Sequence, residues 1–562
     1  MNSLNPGLIM IVAGVVAPLI PASIRGWALL AVPIVGFIYT LGLNVGDSAT
    51  IDALGYTLEL LRVDKLSLVW GYIFHLAAFL GMLYALHVKD QMQQISALIY
   101  AGAAVGAVFA GDLITLFVYW ELTAISSVFL IWASRNEAAY KTGMRYLLIQ
   151  VGSGVILLSG VLLWYKQTGS LSFDHIGIET LAGKLIFIAF GIKCAFPLLH
   201  NWLQDSYPKA TVTGTVILSA FTTKLAVYAL ARGFAGTEIL IAIGATMTAF
   251  PIFFAVIEND LRKVLAYSLN NQLGFMVVGI GVGTELSLNG TASHAFAHIL
   301  YKALLFMSMG AVLYRTGTCK ASELGGLYKS MPFTAIFCTI GAMSISAFPL
   351  FSGFVTKSMI MTAAAGEGHW IAWIVLLMAS AGVMEHSGIK IPYFAFFAHD
   401  SGRRVKEAPW NMLLAMAITA FLCIFIGVYP DPLYAILPFP VDYTPYTTAH
   451  VITQLQLLVF ALLAFIVLIR SGWYPAEMPS LNLDTDWIYR KFLPCVLRCT
   501  GGMIGKLDRM IRDEALVVLG EITAMIERQH GDKSPISQTM HAGTMALIVI
   551  SILFLFLVVM IV

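Results

Sequence analysis

Long apolar runs, separated by short polar connections, follow one another along almost the whole chain. A helix crossing about 30 Å of hydrocarbon needs about 20 mostly apolar residues. On that measure spans are predicted near 5–22, 27–44, 68–87, 92–110, 112–133, 143–165, 183–203 and 211–232. The second half adds 237–257, 264–283, 292–314, 332–364, 369–398, 411–429, 451–469 and 541–562, sixteen in all. Runs 332–364 and 369–398 are too long for simple upright helices, and the first is broken around Pro349 and Gly353. The run from Gly7 has no basic flank and no clear cleavage site, so it reads as a first span.

Composition agrees. The 562 residues are 59% hydrophobic and 11% charged, with a mean hydropathy of +0.83, whereas soluble domains carry about 25% charged residues. Disorder needs the opposite bias, and a net charge of +2 gives no footing for nucleic acid. The six cysteines (Cys194, Cys319, Cys338, Cys423, Cys495 and Cys499) form no CxxC or zinc spacing. No nucleotide motif is present, so no cofactor and no metal are expected.

Lys and Arg in the connections set the orientation. Fourteen follow odd-numbered spans and five follow even-numbered ones as far as the fourteenth. The odd connections are therefore expected in the cytoplasm and both termini outside. Residues 470–540, the longest polar stretch, fall on the cytoplasmic side by the same rule. From Asp486 to Gln529, Leu507, Met510, Ile511, Val518, Ile522, Met525 and Ile526 recur at helical spacing among charges. This predicts an amphipathic helix of about 60 Å, with Pro494 and the Gly501–Gly502 pair as interruption points. Such a helix is either an interfacial rim or a strut along neighbouring subunits.

The informative residues are the few ionisable ones inside spans, where each costs at least about 2.5 kcal/mol. Glu121 lies in FVYWELTAI, Lys193 four residues before Pro197, and Lys224 in SAFTTKLAV. His294, His298 and Lys302 stand at i, i+4 and i+8, so they share one helix face. Lys357 follows the Pro349/Gly353 break. A lone lysine near a helix end snorkels, a lone glutamate serves as an ion-pair partner, and a lone histidine packs. Seven such groups together form the chain of titratable sites that a proton relay needs. Burial disfavours a charged lysine and a nearby carboxylate restores it, so a movable Glu/Lys pair can take up and release a proton. Two Pro-interrupted helices, each with a lysine close by, point to two related half-units built around ion paths.

The stretches GDLITLFVYWEL, KCAFPLLHNWLQDSYPKATVTG, LSAFTTKLAVYAL, SHAFAHILYKALLFMSMG and SAFPLFSGFVTKSMI, over roughly residues 90–400, carry a family resemblance. The chain resembles the antiporter-like proton-channel subunits of Mrp-type Na⁺/H⁺ antiporters and respiratory complex I. SGIKIPYFAFFAHDSGRR is similar to the D-type subunits of Mrp antiporters, whereas the tail from LDTDWIYRKF is similar to the complex I subunit with a lateral helix. Gln204 departs from the family, which usually has Pro there.

The resemblance implies an all-α polytopic membrane protein of about 14–16 transmembrane helices. It also implies two inverted five-helix repeats with broken helices, followed by a lateral helix and a final span. The expected segments are 1–90 (N-terminal helices), 91–400 (translocating core), 401–470 (C-terminal helices), 471–540 (lateral helix) and 541–562 (final span). The implied path pairs Glu121 with Lys193 and continues through Lys224, His294, His298, Lys302 and Lys357.

The expected function is ion translocation within a multi-subunit Na⁺/proton antiporter of the bacterial inner membrane, with other membrane subunits as partners and no enzymatic activity of its own. The alternatives are a proton module of a complex I-like or hydrogenase-type redox complex, a part of an inorganic carbon uptake complex, and a structural anchor whose charges are only paired.

Overall fold

The computed structural model describes residues 4–53, 55–475, 477–478, 482–534 and 537–561. Backbone in hydrocarbon must satisfy its own hydrogen bonds, and the apolar runs duly become helices. All sixteen predicted spans coincide with helical segments, beginning with Gly7–Val16 and Ala22–Leu41 and ending with Thr448–Arg470 and Ala542–Ile561. Eleven of the described helices are long and apolar enough to cross a membrane by length and composition.

The structure refines the prediction at the ends and breaks. The run near 332–364 is two helices, Pro332–Ile345 and Ser352–Gly366, and the run near 183–203 becomes Leu181–Cys194 and Asn201–Ser206. Segment 212–233 carries a break that the apolar pattern hides, at Phe221 between Val212–Ala220 and Thr222–Gly233. The run near 369–398 continues from Trp370–Val383 into π turns at Met384–Ile389 and Tyr393–Phe397. A hairpin, Ser48–Ala53 paired with Tyr56–Arg62, fills the second connection and turns at Gly55 with φ +82°. Its strands are short and alternating, so they carry no span signal.

Two five-helix halves repeat with an offset of 148 residues over their first three helices. Helices Glu137–Thr168 and Glu285–Thr316 are each 32 residues long and end in left-handed Gly169 and Gly317. Asp112 caps Leu113–Trp132 and bridges to Ser172; Asp260 caps Leu261–Val282 and bridges to Lys320. The same four residues, Ala-Phe-Pro-Leu, break the fourth helix of each half at 195–198 and 347–350. Ala195 and Leu198 have φ of 61° and 70°, Ala347 and Leu350 of 56° and 74°. The freed amides are satisfied alike, Phe196 N donating to Gly191 O (3.0 Å) and Phe348 N to Met343 O (3.0 Å). Five crossings is an odd number, so the second half enters the membrane from the opposite face, which is an inverted repeat.

The core lies where the halves meet. The 18-residue window of Val212–Gly233 is entirely buried and that of Glu285–Thr316 is 89% buried, against 11% for Thr448–Arg470. Lys224, His294, His298 and Lys302 sit on those two innermost segments.

Residues Leu483–Val562 form a second compact unit. Its long helix, Leu493–His530, runs 38 residues, about 57 Å, without interruption. Pro494 follows directly on a π turn at Ile488–Phe492, so the irregular turn lies where its N–H is missing, and Gly501–Gly502 are carried by the helix-forming residues around them. The final span Ala542–Ile561 follows.

Candidate functional site

Glu121 stands mid-helix in Leu113–Trp132, a helix held at its start by Asp112, which accepts from Ile114 N and Thr115 N (2.8 Å each). Its carboxylate points at Gly154 of the next helix. A Cβ at 154 would lie 1.3 Å from Glu121 Oε1, so the carboxylate keeps this position only against a glycine. That oxygen is buried and accepts no hydrogen bond among the described residues.

Lys193 occupies the last turn before the first Ala-Phe-Pro-Leu break and is wholly buried. Its Nζ donates to Trp120 O (2.5 Å) and Thr123 Oγ1 (2.9 Å), close to Glu121 on its own helix, and sits 4.4 Å over the Trp120 ring. The ammonium thus binds the Glu121 helix through these groups rather than through the carboxylate, which nevertheless lies within its electrostatic reach. Below the break, Trp202 Nε1 donates to the freed Ile192 carbonyl at 2.9 Å.

Lys224 is fully buried just past the Phe221 break and donates to Ser219 O at 2.6 Å, one of the carbonyls the break releases. It lies near Cys194, the neighbour of Lys193, and within reach of both His298 and Lys302. His294 contacts Thr356 Oγ1 through Nδ1 (3.2 Å) and Tyr301 through Nε2 (3.4 Å), and Tyr301 passes the network to Gln272 (3.1 Å). His298 and Lys302 are wholly buried, and neither His298 nitrogen nor Lys302 Nζ has a hydrogen-bond partner among the described residues. Lys357 Nζ, likewise without a hydrogen bond among them, lies 4.4 Å above the Phe275 ring and senses His294. Six of the seven predicted residues are thus buried and Glu121 is half-buried; Glu121 lies within electrostatic reach of Lys193, and Lys224, Lys302, His298, His294 and Lys357 within reach of one another in succession.

The repeat explains why the halves differ chemically. The 148-residue offset sets Tyr146, Gln150 and Gly154 opposite His294, His298 and Lys302, and sets Glu121 opposite Leu269. The first half thus carries a carboxylate facing a glycine, where the second carries a leucine and a lysine. Gln150 is as buried as His298, and its amide atoms also lack partners among the described residues. Gln204 (4% exposed) and Asn270 (0%) are similar. Buried polar groups are otherwise almost always hydrogen-bonded, and internal water is the usual partner where protein is not.

Sequence reasoning missed a further group. The π turns place His386 and Lys390, both wholly buried, at the end of Trp370–Phe397, and Glu385 beside them. His386 senses Lys302 and Lys357. The available signal is EHSGIK inside an apolar run, three ionisable residues that the family resemblance alone leaves without a role.

Residues 110–383 match the family described as NADH:quinone oxidoreductase/Mrp antiporter, transmembrane. The D component of the Na⁺/H⁺ antiporter of Alkalihalophilus pseudofirmus is 29% identical over 352 residues, 58% of this chain and 71% of its own. Among solved structures, a chain of the Mrp complex from Dietzia sp. superposes with a TM-score of 0.78 at 23% identity, covering 93% of this chain and 62% of that one. A chain of the membrane-bound sulfane sulfur reductase, an archaeal respiratory complex, gives 0.71 at 21% identity, covering 99% of both. The chain is similar, across its membrane core, to the antiporter-like proton-channel subunits of Mrp antiporters and respiratory complex I.

Proposed function

We propose that this chain is an ion-translocating subunit of a multi-subunit monovalent cation (Na⁺)/proton antiporter in a bacterial inner membrane. The observation that carries the reading is the set of buried Lys193, Lys224, His298, Lys302, His294 and Lys357 with half-buried Glu121 beside Lys193, spread over both halves of the repeat. Burying this many ionisable groups costs several kcal/mol each, a burden that a purely structural anchor would not need. Protons pass along the row as neighbouring lysines, too close to be charged together, exchange one charge. Glu121 receives or releases the proton in the first half, and Lys357 does so in the second. The chain acts within an assembly of membrane subunits and catalyses no bond chemistry of its own. The Lys/Arg distribution supports cytoplasmic odd connections, a cytoplasmic lateral helix and outward termini.

A second reading is a proton module driven by redox chemistry in partner subunits. It rests on the end-to-end likeness to the sulfane sulfur reductase chain, tail included. Redox subunits co-purifying with the chain would favour it.

Replacing Glu121 or Lys193 with Ala, in the assembled complex in inverted vesicles, is expected to abolish cation-induced dissipation of a proton gradient. Full activity in both variants at normal expression would refute the translocation path.

A further inference from the structure

Beyond the row just described, a second cluster of buried charge lies where three segments come together. These are the connection after Ile239–Ile257, the end of Trp370–Phe397, and the connection after Thr448–Arg470, which supplies Tyr474, Glu477 and Asn482. By the Lys/Arg distribution this is the cytoplasmic end. Lys390 Nζ donates to Val256 O (2.6 Å), Glu258 O (2.8 Å) and Ala255 O (3.3 Å), and pairs with Glu477 Oε1 at 2.8 Å. These carbonyls end the helix Ile239–Ile257, where a cation is favoured. Glu258 has partners of its own. It pairs with Lys263 (2.7 Å) and accepts from Asn482 Nδ2 (3.0 Å), Asn259 N (3.1 Å) and Asp260 N (3.2 Å).

That leaves two carboxylates, Glu477 and Glu385, to share Lys390. The Glu477 side chain is 7% exposed. Glu385 accepts from Tyr474 OH at 2.8 Å on one oxygen, while the other is buried without a hydrogen bond among the described residues. The two carboxylates sense each other. Two anions against one cation leave one buried negative charge unbalanced, and a single proton restores neutrality. The next residue, His386, turns its Nδ1 to Ser387 Oγ (2.8 Å), and its Nε2, with no hydrogen bond among the described residues, belongs to the ring that senses Lys302 and Lys357.

We propose that Glu385 and Glu477 form a proton-loading site at the cytoplasmic end of the second half, holding one exchangeable proton over the Lys390 cation and passing it to the interior row through His386. Glu477 lies outside the membrane-spanning helices and is the outer carboxylate of the two. Burial holds its carboxyl above the usual carboxylate range, with Lys390 opposing. The groups facing the site are Lys390, Tyr474, Glu258, Lys263 and His386. The connection after Thr448–Arg470 thereby gains a function, since it carries both the outer carboxylate and the tyrosine that holds the inner one.

The inference rests on the translocation reading, and its test separates the two. In vesicles bearing the whole complex, Glu385→Gln and Glu477→Gln are each expected to cut proton-linked cation transport by at least about tenfold and to flatten its pH profile. Glu385→Asp and Glu477→Asp should keep the profile. Should the Gln variants not assemble, the wild-type complex is treated with a hydrophobic carbodiimide, which adds only to protonated carboxyls, and modified residues are mapped by mass spectrometry. Labelling at Glu385 or Glu477 that falls as pH rises is expected. Wild-type rate and pH profile in either Gln variant, or no labelling of either residue, would overturn the site. A wild-type complex without any cation–proton exchange would instead sink the translocation reading, whatever the labelling shows.

Discussion

Gly154→Ala tests the first half of the row with a single methyl group. The new Cβ would lie 1.3 Å from Glu121 Oε1, whereas ordinary contact begins near 3.4 Å, so the carboxylate has to swing away by about 2 Å. Its backbone need not move, because the clashing atom is the far end of a flexible side chain. Forcing that side chain off its preferred rotamer costs about 1 kcal/mol, and alanine in place of glycine inside a helix returns about as much. The variant should therefore assemble at wild-type level. Transport should nevertheless collapse, because a misplacement of about 1 Å already costs about a hundredfold where reacting groups must be aligned. The assay is cation-induced recovery of a fluorescent pH probe in inverted vesicles, normalised to the amount of assembled complex. Wild-type transport by a fully assembled Gly154→Ala complex would show that the position of the Glu121 carboxylate does not matter. The Glu121–Lys193 step would then have to be abandoned.

Other consequences follow from named contacts. Asp64 pairs with Arg232 at 2.6 Å and caps Lys65–Tyr84; burial raises its pKa, but Arg232 and the Ser67 amide outweigh that and hold it below the usual aspartate value. The contact therefore stabilises the fold above pH about 4 and is lost as pH falls through the lower folded value. Asp64→Asn should cost about 2 kcal/mol near neutrality in a detergent melting series, with the gap to wild type closing under acid; a gap independent of pH would contradict this. Ala195→Gly and Ala347→Gly relieve left-handed backbone at the two breaks and should each add about 1 kcal/mol of stability, read as a higher melting temperature. Unchanged or lower melting would argue that strain is not held there. Cys495 and Cys499 are exposed while Cys194, Cys319, Cys338 and Cys423 are buried. A membrane-impermeant maleimide should therefore label only the first two, in inverted vesicles and not in intact cells; the converse pattern would reverse the orientation.

What the sequence made legible follows from what a bilayer penalises. Spans were readable because hydrocarbon tolerates little but apolar helix, and Glu121, Lys193, Lys224, His294, His298, Lys302 and Lys357 stood out because each is expensive where it lies. Hidden features are those that cost little at the level of residue type. The Phe221 break uses no proline or glycine; Lys224 and its carbonyl partner make it, and both look like ordinary helix in the sequence. Gly154 is invisible alone, since its meaning comes from the oxygen on the helix beside it. Glu477 lies in a polar connection where a carboxylate is ordinary, and only the fold brings it within 2.8 Å of Lys390. The same reasoning orders the two halves. Identical Ala-Phe-Pro-Leu breaks and capping aspartates hold one scaffold twice, while charge is written differently onto it, Glu121 against Gly154 in one half and Leu269 against Lys302 in the other. A symmetric pair of channels would bind and release a proton alike at both ends. The asymmetry gives the first half an acidic end and the second a basic interior, so a proton bound at Glu121 and one bound at Lys302 differ in energy, and a change in one half has a physical means of biasing the other.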